Sequence, residues 1–369
     1  MKRITLISLS VFVLAMTVFL LFCPKQAYSA SERRRLAVMP ELSTETVLNG
    51  KFTGGLETYL LDHFPFRETL RGVKANYAVN VLGQKENNGI YIVDEHASKL
   101  EYPLNEAGVE KTVEMVKTVK DTYFPDNRVF YTVIPDKNYF LAEKNGYPHI
   151  DYDQMLALLD TAFKNEMQYI DMIPLLTIDD YYKTDAHWRQ ECIGDVAKLL
   201  CDEMGCDFAD FNIDAYEQNK IEDFYGIYRG QAALPFPAED IIYLTNNTIE
   251  NAEVYDAESD SIKAVYQAEL LSDEKSLDAY DIYLGGARAA LTIRNPLYDG
   301  SEQKRLVLFR DSFGSSLVPL LIEQYAEIVL VDLRYVSAGQ IGEYVDFTDA
   351  DILFAYNTLI WNNGSILKK

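Results

Sequence analysis

Two short segments carry side chains that could act together as a nucleophile and its base. The first is 183–188, with the sequence KTDAHW. In an extended loop, residues two apart point the same way, so Asp185 could orient the His187 ring, fix its tautomer and stabilise its cationic form. The competing interpretation is a surface Asp that caps a helix beside an unrelated His.

The second segment is 309–316, with the sequence FRDSFGSS, between a predicted buried strand and a predicted helix. Ser312 would then lie at the carboxyl end of a strand, where open α/β sheets bind their ligands. Backbone N–H groups at the start of a helix could stabilise an oxyanion there. The competing interpretation is that Asp311 or Ser312 only caps the helix.

Together the two segments supply the minimum set for acyl transfer through a serine ester: Ser312, His187 and Asp185. The chain has four His, and His187 is the one that we pair with an acidic residue, Asp185. The sequence therefore favours nucleophilic catalysis with Ser312 as the attacking group.

The elements that must position these groups alternate between strands and helices. The predicted strands are 90–93, 129–134, 169–173, 306–309, 328–331 and 351–356. The predicted helices are 51–83 with a break at Pro65, 105–123, 152–166, 188–204 and about 312–325. This alternation predicts a parallel sheet covered by helices on both faces, an α/β fold.

The segment 207–300 breaks this rhythm. It is acidic and rich in Tyr, Asn and Asp, with strand-like pieces at 241–244, 254–255 and 264–266. We interpret it as a β-containing insertion at the ligand-binding edge of the sheet rather than as a domain of its own.

The N-terminal 30 residues are typical of an export segment. Lys2 and Arg3 precede an apolar run over 4–22, and small residues follow at 27–30. The segment could be a cleaved signal peptide or an uncleaved signal-anchor helix, since the run is close to the ~20 residues that span a bilayer. Either way, we expect one domain over 31–369 on the outer face of the cytoplasmic membrane.

Composition and charge exclude several classes of function. With 48% hydrophobic and 25% charged residues, most of the chain should fold. The net charge is −23, and −26 without residues 1–30, which argues against a nucleic-acid partner. Cys192, Cys201 and Cys206 match no zinc spacing, so either one bridge with a spare thiol or three buried thiols is expected, and neither a metal nor a cofactor.

The motif Thr184-Asp185-x-His187-Trp188, followed later by Asp311-Ser312-Phe313, resembles the DHHW family. That family is related to the alginate O-acetyltransferase proteins AlgJ and AlgX, in the SGNH hydrolase superfamily. The chain order Asp–His and then Ser is the permuted order of that group. Further matching segments are 36–40, 62–67, 88–91, 135–137, 285–286 and 332–335.

The resemblance implies a three-layer α/β/α, flavodoxin-like SGNH fold with Ser312 as nucleophile, His187 as base and Asp185 as orienting acid. The sequence departs from the family pattern at Ala186, where the family name implies a second His, and at Arg310, where SGNH proteins have Gly. The first candidate for the oxyanion donor is the Ser312 N–H. The other candidates for oxyanion or substrate contacts are Gly286, Asn357, Arg310, Lys137, Arg334 and Tyr335.

Three functions follow as alternatives. The first is an O-acetyltransferase that takes acetyl from a membrane-bound acyltransferase partner and passes it from Ser312 to a cell-envelope polysaccharide. The second is a carbohydrate esterase, in which water attacks the same ester. The third is a non-catalytic glycan-binding or assembly protein, which predicts that Ser312 and His187 lie far apart.

Overall fold

The computed structural model describes residues 2–22, 25–206, 208, 211–272, 278–300 and 303–369. Two compact units divide the chain: residues 1–91 with 227–236, and residues 92–226 with 237–369. The unit boundaries do not coincide with the predicted division at residue 30, because residues 31–91 cluster with the N-terminal segment. Asp185, His187 and Ser312 all belong to the second unit.

The first unit is mainly helical. Its elements are α1 (Lys2–Phe22), β1 (Tyr28–Ser29), β2 (Arg34–Arg35), α2 (Thr44–Leu48), α3 (Lys51–Asp62), α4 (Arg67–Asn76), a π-helix (Tyr77–Val81), β3 (Glu86–Asn87), the first part of β4 (Ile90–Val93) and, later in the chain, α9 (Ile227–Ala232). The predicted break at Pro65 is confirmed by the end of α3 and the start of α4. Among the described residues, no helix is both long and apolar enough to cross a membrane. Cys23 and Pro24 of the predicted leader lie outside the described residues.

The second unit contains the remaining elements. Its strands are β5 (His96–Lys99), β6 (Val129–Ile134), β7 (Gln168–Tyr169), β8 (Glu217–Phe224), β9 (Glu239–Thr245), β10 (Glu253–Asp256), β11 (Ser261–Lys263), β12 (Ala290–Arg294), β13 (Arg305–Arg310), β14 (Glu327–Val331) and β15 (Ala350–Asn357). Its α-helices are α5 (Glu106–Tyr123), α6 (Lys137–Leu141), α7 (Tyr152–Phe163), α8 (Gly194–Glu203), α10 (Asn247–Asn251), α11 (Phe313–Leu317) and α12 (Thr358–Asn362).

An eight-stranded sheet in the order β11-β10-β12-β14-β13-β15-β6-β7 forms the centre of the second unit. The pairs β14/β13, β13/β15, β15/β6 and β6/β7 are parallel. These five strands are the ones the sequence predicted from residue 129 onward, although β7 is shorter than expected. The α/β prediction with a mainly parallel sheet is therefore confirmed.

Side chains of the parallel strands alternate between two apolar cores. In β13, Leu306 and Leu308 join the core that includes α8 and α11, whereas Val307 and Phe309 join the core that includes α5 and α7. A strand buried on both faces reads as a continuous apolar run, because helices cover both sides of a parallel sheet. The two cores give the three layers of the fold.

The segment 207–300 contributes both to this sheet and beside it. Strands β10, β11 and β12 extend the sheet with antiparallel pairs, and β12 joins it alongside β14. Strands β8 and β9 form a separate antiparallel pair. Residues 227–236, between β8 and β9, belong to the first unit.

Two predicted helices that flank the candidate residues differ in part from the structure. Instead of a helix over 188–204, a loop contains His187 and Trp188, and α8 begins only at Gly194 because Trp188 makes a β-bridge with Tyr181. After Ser312, α11 has five residues and continues as a 3-10 helix over Val318–Gln324. Pro319 lacks the N–H that an α-helical hydrogen bond requires there.

Candidate active site

Ser312 lies just beyond the carboxyl end of β13, near the middle of the parallel sheet. Its hydroxyl does not cap α11. Asp311 satisfies the backbone instead: its two carboxylate oxygens accept hydrogen bonds from the N–H groups of Phe313 (2.9 Å) and Asn357 (2.7 Å). The Ser312 hydroxyl is thus available for another partner, which the capping interpretation did not predict.

That partner is His187. The Nε2 atom of His187 lies 2.7 Å from Ser312 Oγ, and Nδ1 lies 2.6 Å from Asp185 Oδ1. A carboxylate can only accept, so the proton on the ring belongs at Nδ1 and Nε2 accepts from the Ser312 hydroxyl. Asp185 is buried, while His187 and Ser312 are partly exposed. The non-catalytic alternative predicted that Ser312 and His187 lie far apart, and this distance contradicts it.

The loop that carries Asp185 and His187 is closed by its own backbone and by a buried cation. The Tyr182 N–H donates to the His187 carbonyl (3.1 Å). The ammonium of Lys137 donates to the carbonyls of Tyr182 (2.7 Å), Lys183 (3.0 Å) and Asp185 (3.2 Å). Burial lowers the pKa of Lys137 to about 7, and the Asp185 charge opposes that shift. Lys137 was a candidate for substrate contact, and in the structure its buried ammonium is bonded to these three carbonyls of the loop.

Glu239, the first residue of β9, also binds this loop. The Glu239 carboxylate accepts from the N–H groups of Lys183 (2.6 Å) and Thr184 (2.9 Å) and from the Thr184 hydroxyl (2.8 Å). The Gly226 N–H donates to that hydroxyl, and a Cβ at Gly226 would approach the Thr184 carbonyl carbon to 2.2 Å. Glu239 and Gly226 both come from the 207–300 segment, and no motif in the sequence indicated either.

Tyr280 is a site residue that the sequence did not reveal. Its ring stacks on the His187 imidazole, with centroids 3.9 Å apart and 10° between the planes. The Tyr280 hydroxyl shares a hydrogen bond with Ser316 Oγ (2.7 Å), which also accepts from Trp188 Nε1 (2.9 Å). The ring centroid of Phe313 lies 4.9 Å from that of His187, with 56° between the planes. The imidazole is therefore in contact with two aromatic rings.

We expect Tyr280→Leu to lower kcat for acyl transfer about tenfold to a hundredfold, because the unstacked imidazole can rotate away from Ser312. Tyr280→Phe keeps the stacked ring and should keep most of kcat. Steady-state kinetics with an acetyl ester gives both values. An equal loss in the two variants would show that the hydroxyl, and not the stack, matters.

Arg310 stands where SGNH proteins have Gly, and it is buried in a network rather than open to a substrate. Its guanidinium donates to the Asp311 carbonyl (3.3 Å), Ser315 Oγ (3.2 Å) and the Gly286 carbonyl (3.2 Å). It also lies 3.8 Å from Asp332. Burial lowers the pKa of Arg310, and the Asp332 charge opposes that shift. The structure thus assigns Arg310 to the support of the Ser312 turn.

Arg334 and Tyr335 lie at the surface end of the same network. Arg334 donates two hydrogen bonds to Asp332 (2.9 and 2.6 Å), and its guanidinium lies 5.4 Å from the centre of the Tyr335 ring. Tyr335 is exposed. Both remain candidates for substrate contact.

Hydrogen bonds within the chain already occupy the backbone N–H groups of the two alternative oxyanion donors. The Gly286 N–H donates to the Tyr283 carbonyl (3.2 Å). Asn357 donates its side-chain amide to the Ile134 carbonyl (3.1 Å) and its backbone N–H to Asp311. In the described part of the chain, the Ser312 N–H has no hydrogen-bond acceptor, so it stays the first candidate.

His96 lies in β5, whose Ala97 N–H donates to the Lys183 carbonyl of the loop that carries Asp185 and His187 (2.8 Å). His96 is 3% exposed, and burial, aided by the Lys137 and Lys183 charges, lowers its pKa to about 4 from 6.5. Between pH 6.5 and pH 4, His96 binds more protons in the unfolded chain than in the folded one. The free energy of unfolding should therefore fall as the pH drops through this range. The loss from this group should be at most about 3 kcal/mol.

Urea unfolding of the wild type and of His96→Gln at pH 7 and pH 4.5 measures this effect. The free energy of unfolding should fall more steeply with acid in the wild type than in the variant. Parallel losses would mean that His96 does not titrate in this range.

The three cysteines of the second unit are free thiols in the structure. Of the two alternatives that the sequence left open, the structure has the one without a bridge. A hydrogen bond with Cys201 lowers the pKa of Cys206.

Comparison with known proteins found similarity in structure alone: no protein-family model and no curated protein matches the chain. A DHHW family protein from Eubacterium siraeum is 20% identical, with a TM-score of 0.59 over 76% of this chain and 94% of that one. Bacillus cereus PatB1 with a sulfonyl adduct is 14% identical, with a TM-score of 0.59 over 76% and 97%. The O-acetyltransferase domain of Pseudomonas putida AlgJ is 12% identical, with a TM-score of 0.45 over 74% and 92%.

The DHHW family protein and PatB1 share the fold of the chain. The structural neighbours thus include a member of the family that the sequence motifs predicted, and the central sheet agrees with the predicted three-layer α/β/α fold. At such identities the similarity extends to the fold, and the chemistry must be argued from the site.

Proposed function

We propose that this chain is an extracytoplasmic serine-dependent O-acetyltransferase that modifies a cell-envelope polysaccharide through an acetyl ester on Ser312. The observation that carries the proposal is the continuous hydrogen-bonded series Asp185–His187–Ser312, with heavy-atom distances of 2.6 and 2.7 Å. Such a series activates a hydroxyl that is otherwise a weak nucleophile.

In the first half-reaction, Ser312 Oγ attacks the carbonyl carbon of the acetyl donor while its proton moves to His187 Nε2. Asp185 stabilises the resulting imidazolium through Nδ1–H. The Ser312 N–H donates to the oxyanion of the tetrahedral intermediate. Collapse breaks the donor's ester bond, and the leaving alcohol takes the proton from Nε2.

In the second half-reaction, a sugar hydroxyl attacks the acetyl carbon and gives its proton to His187 Nε2. Collapse releases the acetylated sugar, and Ser312 Oγ recovers the proton. Water in place of the sugar would give hydrolysis with the same residues. The choice between transferase and esterase therefore depends on acceptor binding.

Three further features support parts of the proposal. Export rests on the charged and apolar start of the chain, and a membrane-bound acyltransferase as acetyl donor rests on the sequence resemblance. The similar structure of PatB1 carries a sulfonyl adduct. A sulfonyl fluoride transfers its sulfonyl group to an activated hydroxyl and releases fluoride, so such a reagent should modify Ser312 here.

Incubating the full chain with an acetyl ester donor and a cell-envelope oligosaccharide tests the proposal. We expect acetylated sugar by mass spectrometry, and a sulfonyl fluoride should block its formation and label the peptide with Ser312. Free acetate without acetylated sugar, for every acceptor tried, would make the chain an esterase. Labelling at another residue would remove Ser312 from the mechanism.

A further inference from the structure

The first unit has a net charge opposite to that of the rest of the chain. Residues 1–91 with 227–236 contain twelve Lys and Arg against seven Asp and Glu, a net charge of +5, whereas the whole chain carries −23. The second unit therefore carries −28. An anionic surface attracts the first unit and repels the second.

Exposed apolar side chains are concentrated in the same unit. In the described part of the chain, 31 large apolar side chains are exposed, and 22 of them belong to this unit of 101 residues. Scattered exposed apolar residues are ordinary, but a contiguous group marks an interaction surface.

Five of these side chains form what we call the apolar stripe: Phe66, Leu70, Val73, Tyr77 and Val81. They are between 47% and 67% exposed. Phe66 directly precedes α4, and the spacing of three or four residues places the other four on one face of α4 and of the π-helix that continues it.

The apolar stripe continues into α1. The ring of Phe19 stacks on that of Phe66, with centroids 5.6 Å apart and 26° between the planes. The exposed apolar side chains of α1 extend the surface from there; they include Ile4, Ile7, Val11, Leu14 and Val18. An apolar surface this long suits acyl chains, which need no matched shape.

Cations lie beside the apolar stripe. Arg67, Arg71 and Lys74 line a cavity of about 720 Å³ together with Glu32, Leu61, Phe64, Leu70, Asn88 and Gln231. Glu32 pairs with Arg67 (2.5 Å) and Arg71 (3.3 Å), and Glu68 pairs with the same two arginines (2.7 and 3.1 Å). Lys74 donates to Asn87 (2.6 Å), and these three cations outnumber the two carboxylates. A basic rim next to an apolar face is the arrangement of helices that lie in a membrane interface.

We propose that the apolar stripe lies in the interface of an anionic phospholipid bilayer, with its side chains among the acyl chains and its basic rim at the headgroup phosphates. The proposal concerns the first unit and is independent of the acyl-transfer chemistry. It also does not require any helix to span the bilayer.

Tryptophan quenching tests this directly, because the two natural tryptophans, Trp188 and Trp361, are fully buried. The full chain with Val73→Trp is reconstituted in vesicles of phosphatidylcholine and phosphatidylglycerol brominated at carbons of the acyl chains near the headgroup. The matched control is Ile262→Trp, since Ile262 is similarly exposed (62% against 60% for Val73) but lies in the acidic unit.

We expect bromine to quench about half of the added emission in Val73→Trp and none in Ile262→Trp. Equal quenching in the two variants would overturn the proposal, as would an unquenched Val73→Trp, which would point to a protein partner on this surface. Undiminished quenching in vesicles of phosphatidylcholine alone would overturn the choice of an anionic lipid.

Discussion

Ser312→Ala should lower acyl transfer by about 10⁴-fold or more and abolish labelling by a sulfonyl fluoride. The substitution removes the attacking oxygen and the group that stands 2.7 Å from His187 Nε2. The remaining rate would come from substrate binding and the backbone donors, which do not depend on the hydroxyl. Turnover of an acetyl ester and peptide mapping after labelling measure both effects.

The chain offers a matched control in the same helix. Ser315 is also buried in α11, but its hydroxyl accepts from Arg310 and not from His187. Ser315→Ala should keep most of the activity and all of the labelling. His187→Ala should match Ser312→Ala in the loss of turnover, because the two groups act as a unit. Normal turnover in Ser312→Ala would eliminate the serine ester.

Asp185→Asn should lower kcat by about 10³- to 10⁴-fold while leaving the fold intact. The carboxylate accepts from both Nδ1 (2.6 Å) and the backbone N–H (3.2 Å) of His187, so it fixes the ring's tautomer and its orientation. An amide cannot stabilise the imidazolium as a carboxylate does, and its NH₂ group can favour the tautomer that has no acceptor toward Ser312.

Asp179→Asn is the matched control, because Asp179 is an exposed carboxylate six residues earlier in the chain. It should keep wild-type kcat, which separates the contact with His187 from a general loss of negative charge. Circular dichroism of both variants checks the fold. If Asp185→Asn and Asp179→Asn have the same kcat, Asp185 does not act through the imidazole.

Much of the fold could be predicted because apolar periodicity is local. The parallel strands β6, β13, β14 and β15 are almost wholly buried on both faces and so appear as short apolar runs in the sequence, whereas β7 is exposed at Gln168 and only partly buried at Tyr169. The helices beside the site could not be predicted in the same way. Trp188 has an acceptable place in a helical pattern, but its bridge with Tyr181 and its hydrogen bond to Ser316 outweigh that preference.

The sequence by itself determined which residues could do the chemistry: an Asp two positions before a His, and a Ser directly after a buried strand. The tertiary structure alone decided that His187 and Ser312, 125 positions apart, share a hydrogen bond. It alone also decided that the Tyr280 ring stacks on the His187 imidazole. It also decided that Lys137, Arg310 and Asn357 donate hydrogen bonds to backbone carbonyls around the site. Spacing along the chain fixes only local directions, whereas these contacts depend on where strands and loops far apart in sequence meet.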